Sequence, residues 1–345
     1  MQKTIWKYLL TSCLLIALSS CENEVQVAAD WEEVAVVYGA LNPTDDINYI
    51  RIQRAFLDQN ESALRFVSVE DSIYYDSLEV SIDEYKDGVF VQKFVLNKVD
   101  GNDLNLGKDS GLFYDETNEL YELREEIKPS AYTVDYMYRL HVRNPRTGYE
   151  CSATTLSNGK PEVRYPLNDI SGTIQPSTDD EHVILVKFKE GKYVRSYSME
   201  MVIRIEEFEK ENPSNSEIKT ITWNMINSGK TRSLEGFRDA DYLVSSSNFF
   251  TIIASALKED PTVSRRLVDY DVNLYGISED FNTYLEVNKP SIGIVQKKPE
   301  FTNLENGLGL FASRHIKRFS NRSYHQSTLQ MLKLSEYTSN LGFVD

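Results

Sequence analysis

The sequence predicts a mainly β protein built from two antiparallel β-sandwich domains, Ig-like or related, of which the second carries a few short helices. Three observations lead to this fold class. Apolar residues recur at every second position in many segments, turn residues separate those segments, and helical periodicity occurs only after residue 247. Because side chains two residues apart share one face of a strand, such segments form strands with one buried and one wet face.

Five strands are predicted in the first half of the chain. They are Val34–Leu41, Tyr49–Ala55, Leu78–Ile82, Val89–Leu96 and Val134–Val142. Turn residues such as Asn42-Pro43 and Lys86-Asp87-Gly88 lie between them. The first half is therefore predicted to contain strands and turns alone.

The second half combines strands with short helices. The predicted strands are Val183–Phe188, Tyr197–Ile205, Thr220–Met225 and Val268–Leu274. The predicted helices are Asn248–Glu259 after a Ser247 cap, a short helix from a Ser278 cap through Leu285, and Thr328–Tyr337. The two halves are thus expected to differ in architecture.

The polar stretch from Leu156 to Pro161 follows one strand system and precedes the next, so we place the domain boundary there. This gives an N-terminal sandwich over residues 31–157 and a C-terminal β-rich domain over residues 162–345. Residues 1–20 form a signal peptide, and residues 21–30 form a tether.

The N-terminus carries an export signal. Lys3 and Lys7 precede an apolar run over residues 9–18, which is too short for the roughly 20 residues of a membrane-spanning helix. The segment Leu18-Ser19-Ser20-Cys21 resembles the bacterial lipobox, in which the cysteine is acylated and becomes the new N-terminus. The alternative is an ordinary signal peptide with an incidental cysteine. The acidic cluster at residues 22–24 resembles a surface-export signal, which favours the outer membrane and its outer face over the periplasmic one.

Composition limits the classes of function. The chain has a net charge of −16, and removal of Lys3 and Lys7 with the signal takes the charge to about −18, which disfavours nucleic acid as a partner. Only Cys21 and Cys151 would remain after processing, so no disulfide framework forms within the chain. Cys151 is expected to be a small core residue rather than a reactive thiol.

No motif points to catalysis, a cofactor or a metal. The four histidines lack metal-binding spacing, no G-x-S-x-G elbow occurs, and His141 is expected on the wet side of a strand. Gly307 to Ala312 fits G-x-G-x-x-A, but the β-rich surroundings lack the βαβ unit of a dinucleotide site. We therefore interpret Gly307 and Gly309 as backbone positions in a tight reversal or a bulge. No catalytic residue is nominated, and no cofactor or metal ligand is expected.

One basic cluster stands out in this acidic chain: Arg314, Lys317, Arg318 and Arg322. At helical spacing it would form one face of a turn or helix that meets an acidic partner or lipid headgroups. The alternative is a solvated face that balances nearby acids.

Segments from both ends of the chain resemble uncharacterised Bacteroidota outer-membrane lipoproteins with a DUF4249-like domain of unknown function. These segments are Val36–Asn42, Asp271–Ser278, Phe281–Leu285 and Phe301–Phe311. The resemblance implies a lipid-anchored β-rich protein and, because related lipoproteins are often encoded beside TonB-dependent transporters, an outer-membrane β-barrel partner. It carries no catalytic residues to transfer.

Three functions remain open. The predicted one is a lipid-anchored accessory or binding lipoprotein without catalysis, which binds a ligand or a TonB-dependent transporter through loops or strand edges. The alternatives are a lipid-anchored hydrolase that acts on glycans and a structural envelope-assembly protein. A concave pocket lined by some of the 21 tyrosines would distinguish a binding protein from a structural one.

The lipobox interpretation predicts the effect of Cys21→Ala. Without the thiol no acyl chain is attached, so we expect the variant to leave the membrane fraction for the soluble fraction. Fractionation of host cells with immunoblotting measures this, and a variant that stays in the membrane fraction would show that Cys21 is not the anchor.

Overall fold

The computed structural model describes residues 33–55, 73–108, 116–167, 173–179, 181–290 and 300–345. Across these ranges the chain forms 16 strands, three α-helices and one 3-10 turn, so the predicted mainly β fold is confirmed. Within the same ranges, no helix combines the length and apolarity needed to cross a membrane. The predicted signal, the tether and Cys21 lie outside the described residues.

Eight strands come from the first half of the chain. They are β1 (Val34–Leu41), β2 (Asn48–Ala55), β3 (Glu79–Lys86), β4 (Val89–Val95), β5 (Asn97–Asp100), β6 (Glu119–Leu123), β7 (Tyr136–Arg143) and β8 (Glu150–Leu156). All five predicted strands are present. The unpredicted β6 lacks the alternation on which the predictions rest, because four of its five residues are buried.

Eight further strands and the helices follow. The strands are β9 (Glu162–Tyr165), β10 (Val183–Lys189), β11 (Ser196–Glu209), β12 (Ser216–Lys230), β13 (Asp239–Ser245), β14 (Val263–Ile277), β15 (Leu304–Glu305) and β16 (Gly307–Arg322). The helices are α1 (Asn248–Ala256), α2 (Glu279–Asn288) and α3 (Gln326–Leu334).

Of the two predicted serine caps, one is confirmed and one is wrong. The Ser278 hydroxyl accepts the Phe281 N–H at 3.5 Å at the start of α2. Ser247 has helical dihedral angles (φ −62°, ψ −24°) and forms no side-chain cap; its hydroxyl lies 3.1 Å from that of Ser245 instead. Helix α1 also ends at Ala256 rather than at Glu259.

The strands form three sheets. One has eight strands in the order β12-β11-β14-β16-β1-β2-β6-β5, one has five in the order β15-β8-β7-β3-β4, and one has three in the order β13-β10-β9. Neighbouring strands pair antiparallel except β1 and β16, which pair in parallel from Ala35 with Gly307 to Leu41 with Ser313. This pair joins the first and the last described strands in one sheet that spans both predicted domains.

The first hydrophobic core lies between the eight-stranded and five-stranded sheets. Strands β1, β2 and β6 supply Val37, Ile50 and Tyr121 among others, and β3 and β7 supply Ile82 and Leu140. Two sheets that face each other across one core form a sandwich. Leu304 and Phe311 also belong to this core, although they lie within the predicted C-terminal domain.

The second core lies in the C-terminal half. Strands β11 and β14 contribute Met201 and Val272, strand β10 contributes Phe188, and α1 contributes Phe249 and Ile253. The buried positions of β14 follow the predicted alternation from Tyr270 onward, but Val268 is 44% exposed. On β11, Arg204 pairs with Asp269 and the next residue, Ile205, pairs with Leu267. Val268 therefore has no partner on β11 and is the extra residue of a β-bulge.

The predicted boundary segment is buried rather than an exposed linker. Asn158 is fully buried, its amide donates to the Gly276 and Ser313 carbonyls at 3.2 and 3.3 Å, and its N–H donates to the Ser313 hydroxyl at 2.9 Å. Gly159 donates its N–H to the Lys192 carbonyl at 2.7 Å. The passage from β8 to β9 is therefore held by β14 and β16.

Gly307 and Gly309 lie in β16, not in a chain reversal. Gly309 has φ +106°, and a Cβ there would overlap the Val37 carbonyl oxygen of β1. Gly307 lacks a positive φ, and a Cβ would meet the Ala35 carbonyl oxygen at 3.2 Å. Glycine at position 309 therefore permits the close parallel pairing of β1 and β16.

Gly309→Ala is predicted to destabilise the protein by about 2 kcal/mol or more. The new methyl group would overlap the Val37 carbonyl oxygen, and the positive φ at this position is strained for any residue with a side chain. We expect the thermal midpoint to fall by several degrees, measured by calorimetry. Gly307→Ala is the matched control on the same strand, with a smaller loss. Equal midpoints for the two variants would contradict the special role of Gly309.

Candidate ligand-binding site

The candidate site lies on the outer face of the eight-stranded sheet, where β1, β2 and β16 run side by side. Alternation along β1 turns Ala35 and Val37 into the core, while Tyr38 points outward and is 40% exposed. Leu310 is the parallel neighbour of Tyr38 on β16 and shares its face. The outer face is thus apolar at this point.

Helix α2 forms a wall of the site. Helix α2 follows β14, begins after its Ser278 cap and packs on β16. This packing brings Tyr284 into contact with Tyr38. The two rings meet edge to face, with centroids 6.0 Å apart. Burial and the hydrogen bond with Tyr284 raise the pKa of Tyr38 to about 12, so its phenol stays neutral at physiological pH.

Between these elements lies an open cavity of about 310 Å³. Its aromatic lining consists of Tyr38, Tyr49, Phe281 and Tyr284. Asp45, Asn48 and Arg314 supply its polar side chains. An aromatic cavity with few polar groups has the composition of a small-molecule site.

The loop between β1 and β2 holds the carboxylate of the site in place. Asn48 is buried and accepts the Asn42 N–H at 2.7 Å, while its amide donates to the Asn42 carbonyl at 3.3 Å. The Asp45 oxygens lie 3.5 Å from Arg314 Nη2 and 2.9 Å from Arg318 Nη2. Asp45 is therefore oriented by two guanidinium groups.

The basic cluster predicted at helical spacing is on strand β16, so the helical geometry was wrong. Arg314 and Arg318, four residues apart, share the outer face of the strand and both pair with Asp45, as the charge-balance alternative requires. Lys317 and Arg322 lie over the Phe319 ring at 5.2 and 5.5 Å. Binding of an acidic partner or lipid headgroups by this cluster stays a prediction.

Arg51 of β2 is the strand neighbour of two tyrosines of the cavity lining. It pairs directly with Tyr38 across the strands, and it shares a face with Tyr49 two residues earlier. The Nε atoms of Arg51 and Arg314 are buried and have no hydrogen-bond partner in the part of the chain that the structure describes. One of these unsatisfied donors belongs to a residue of the cavity lining, Arg314, and the other belongs to its neighbour on the sheet, Arg51.

A second concavity, of about 580 Å³, lies on the outer face of the five-stranded sheet. Its arginines pair with carboxylates of the same surface: Arg143 lies 3.1 Å from Glu79 and 3.3 Å from Glu150, and Arg139 lies 3.4 Å from Glu305. A ligand would have to compete with these ion pairs. The Tyr-lined pocket is therefore the better candidate.

The remaining candidate side chains take structural positions. His141 lies on the wet face of β7, as predicted, and its Nε2 atom is 3.2 Å from Asp83 Oδ2. Cys151 is buried, also as predicted, and burial raises the pKa of its thiol to about 11. His315 lies on the inner face of β16, where burial, then the charges of Lys160, Lys317 and Arg318, lower its pKa to about 4.

Of the pocket residues, Arg314 alone had been singled out, as a member of the basic cluster, and none of the aromatic residues was predicted as a site residue. Cys21, the predicted lipidation site, lies outside the described residues. Tyr38 and Tyr284 do fall in segments that carry the family resemblance. Their contact depends on the parallel pairing of β1 with β16 and on the docking of α2, which no local pattern indicates.

No group of three or more His, Cys, Asp or Glu side chains suited to a metal ion occurs within the described ranges. In comparison with known proteins, no family model and no curated protein matches the chain. The resemblance to Bacteroidota outer-membrane lipoproteins thus stays a prediction.

Proposed function

We propose that this protein is a lipid-anchored accessory lipoprotein of the outer membrane that binds a small ligand without chemical conversion. The observation that carries the proposal is the Tyr-lined pocket between β1, β16 and α2. It is the feature by which a binding protein differs from a purely structural one. The lipobox at Cys21 supports the anchor, and the acidic residues after it favour the outer face of the membrane.

The geometry of the pocket suits binding. Tyrosine rings provide contact area at low cost in conformational entropy, and their hydroxyls form hydrogen bonds. Tyr38 and Tyr284 hold each other by an edge-to-face ring contact, and Asp45 is held by two arginines. Since the lining is ordered by its own contacts, little ordering remains to be done when a ligand enters.

The proposal includes a protein partner, a TonB-dependent transporter, and strand β4 offers a surface for it. Strand β4 ends the five-stranded sheet, and Val89, Phe90 and Val95 are 68%, 53% and 69% exposed. Leu96 donates its N–H to the Val80 carbonyl of β3. In an antiparallel pair, successive residues direct their N–H and C=O groups alternately toward and away from the partner strand, so those of Val95 point to the open edge. An apolar open edge pairs readily with a strand of another protein.

The pocket proposal predicts that Tyr38→Ala and Tyr284→Ala abolish ligand binding. Thermal shift of the purified protein against a panel of saccharides, amino acids and nucleosides provides the measurement, because a ligand that binds the folded state alone raises its stability. Tyr132→Ala, an exposed tyrosine outside the pocket, is the control and should keep the shift. A panel without any shift, or shifts unchanged in both pocket variants, would refute the proposal.

The partner proposal predicts the effect of Val95→Pro. Proline removes the N–H that an added strand would use, while strand β3 loses no hydrogen bond. We expect the lipidated wild type, extracted in mild detergent from its host's outer membrane, to co-purify a transporter, and Val95→Pro to lose it with an unchanged thermal midpoint. Tyr38→Ala serves as the control that should keep the partner. Recovery of the wild type alone would argue against a transporter partner.

A further inference from the structure

We infer that the Tyr-lined pocket selects an acidic saccharide, a sugar ring that carries a carboxylate. The inference rests on the proposed binding function and adds the chemical class of the ligand to it. It follows from the charges at the pocket, from the unsatisfied donors and from the shape of the aromatic lining.

An arginine without an ion pair lies beside the pocket. Asp45 and Arg314 are the charged residues of the lining, and Arg51 is the cross-strand neighbour of Tyr38 on the same face. Asp45 pairs with Arg314 and Arg318, whereas Arg51 has no ion pair with any described residue. Glu122, opposite Tyr49 on β6, does not balance Arg51, because its two oxygens accept hydrogen bonds from Arg124 at 2.8 Å each.

The chain as a whole has the opposite sign, with a net charge of −16. An arginine without an ion pair on such a background attracts anions to this place on the surface, although the net charge repels them elsewhere. Arg51 therefore serves selection at the pocket rather than general anion binding.

The unsatisfied donors specify the kind of anion. The Nε atoms of Arg51 and Arg314 are buried without a hydrogen-bond partner in the described ranges, and a buried donor without an acceptor costs free energy. A carboxylate fits the planar fork of a guanidinium through two parallel hydrogen bonds, which Lys in place of Arg could not reproduce. A ligand carboxylate beside Arg51 would supply the ion-pair partner that its guanidinium lacks among the described residues.

The rest of the lining suits a sugar ring. Tyr38, Tyr49 and Tyr284 offer aromatic surface for the C–H face of a pyranose and hydroxyls for its edge, and the oriented Asp45 can accept from ring hydroxyls. The volume of about 310 Å³ lies at the lower end for ligand pockets, which suits a single ring with its neighbours left in solvent.

Calorimetric titration of the full chain with matched sugars tests the inference. The probes are methyl glucuronide against methyl glucoside, galacturonate against galactose, and succinate as a carboxylate without a ring. We expect each acidic sugar to bind at least about tenfold more tightly than its neutral counterpart, because a hydrogen bond to a charged group is stronger than one between neutral groups. Added salt should reduce this preference.

Arg51→Gln should remove most of the preference for the acidic sugar, and Arg51→Lys should restore only part of it. Arg139→Gln, in the concavity of the five-stranded sheet, is the matched control and should leave the preference intact. Thermal midpoints of all three variants verify that each one is folded.

Equal affinity for acidic and neutral sugars, or succinate binding as tightly as the acidic sugars, would overturn the inference and leave the proposed binding function standing. The inference would also be overturned if the wild type bound another class of compound and no sugar. Loss of the proposed function itself has a different signature, namely the absence of binding by any compound in the thermal-shift panel.

Discussion

The parallel pairing of β1 with β16 is the contact on which the rest of the structure depends. It joins the first and the last described strands at the centre of the eight-stranded sheet and places Phe311 in the core of the N-terminal sandwich. The approach requires a glycine, because Gly309 has a positive φ and its missing side chain leaves room for the Val37 carbonyl. Without this pair the two hydrophobic cores would belong to separate sheets.

The same pairing generates the candidate site. On the inner face of the sheet Val37 and Phe311 pack in the core, and on the outer face Tyr38 and Leu310 lie side by side. Helix α2 covers β16 on that outer face and leaves an aromatic cavity beside it. One strand pair therefore supports both the stability of the sandwich and the recognition surface that we propose for it.

Charge is arranged locally rather than uniformly in this acidic chain. The C-terminal arginines lie beside Asp45, a residue of the loop between the first two strands, and they orient its carboxylate. Exposed ion pairs of this kind contribute little to stability. Their value lies in positioning, since a fixed carboxylate and guanidinium present defined hydrogen-bonding groups at the edge of the aromatic cavity.

The sequence by itself determined the mainly β class, most strands, the Ser278 cap and the burial of Cys151, because period-two alternation, turn residues and helix caps act over a few neighbouring residues. It placed Arg314 and Arg318 on one face of a turn or helix and Gly309 in a tight reversal or a bulge, although all three residues lie in β16. Only the tertiary structure decided that β16 returns to β1, that residues 157–159 are buried, and that Tyr38 meets Tyr284. These features depend on pairing between distant segments, where the free energy comes from burial and strand pairing that no local pattern encodes.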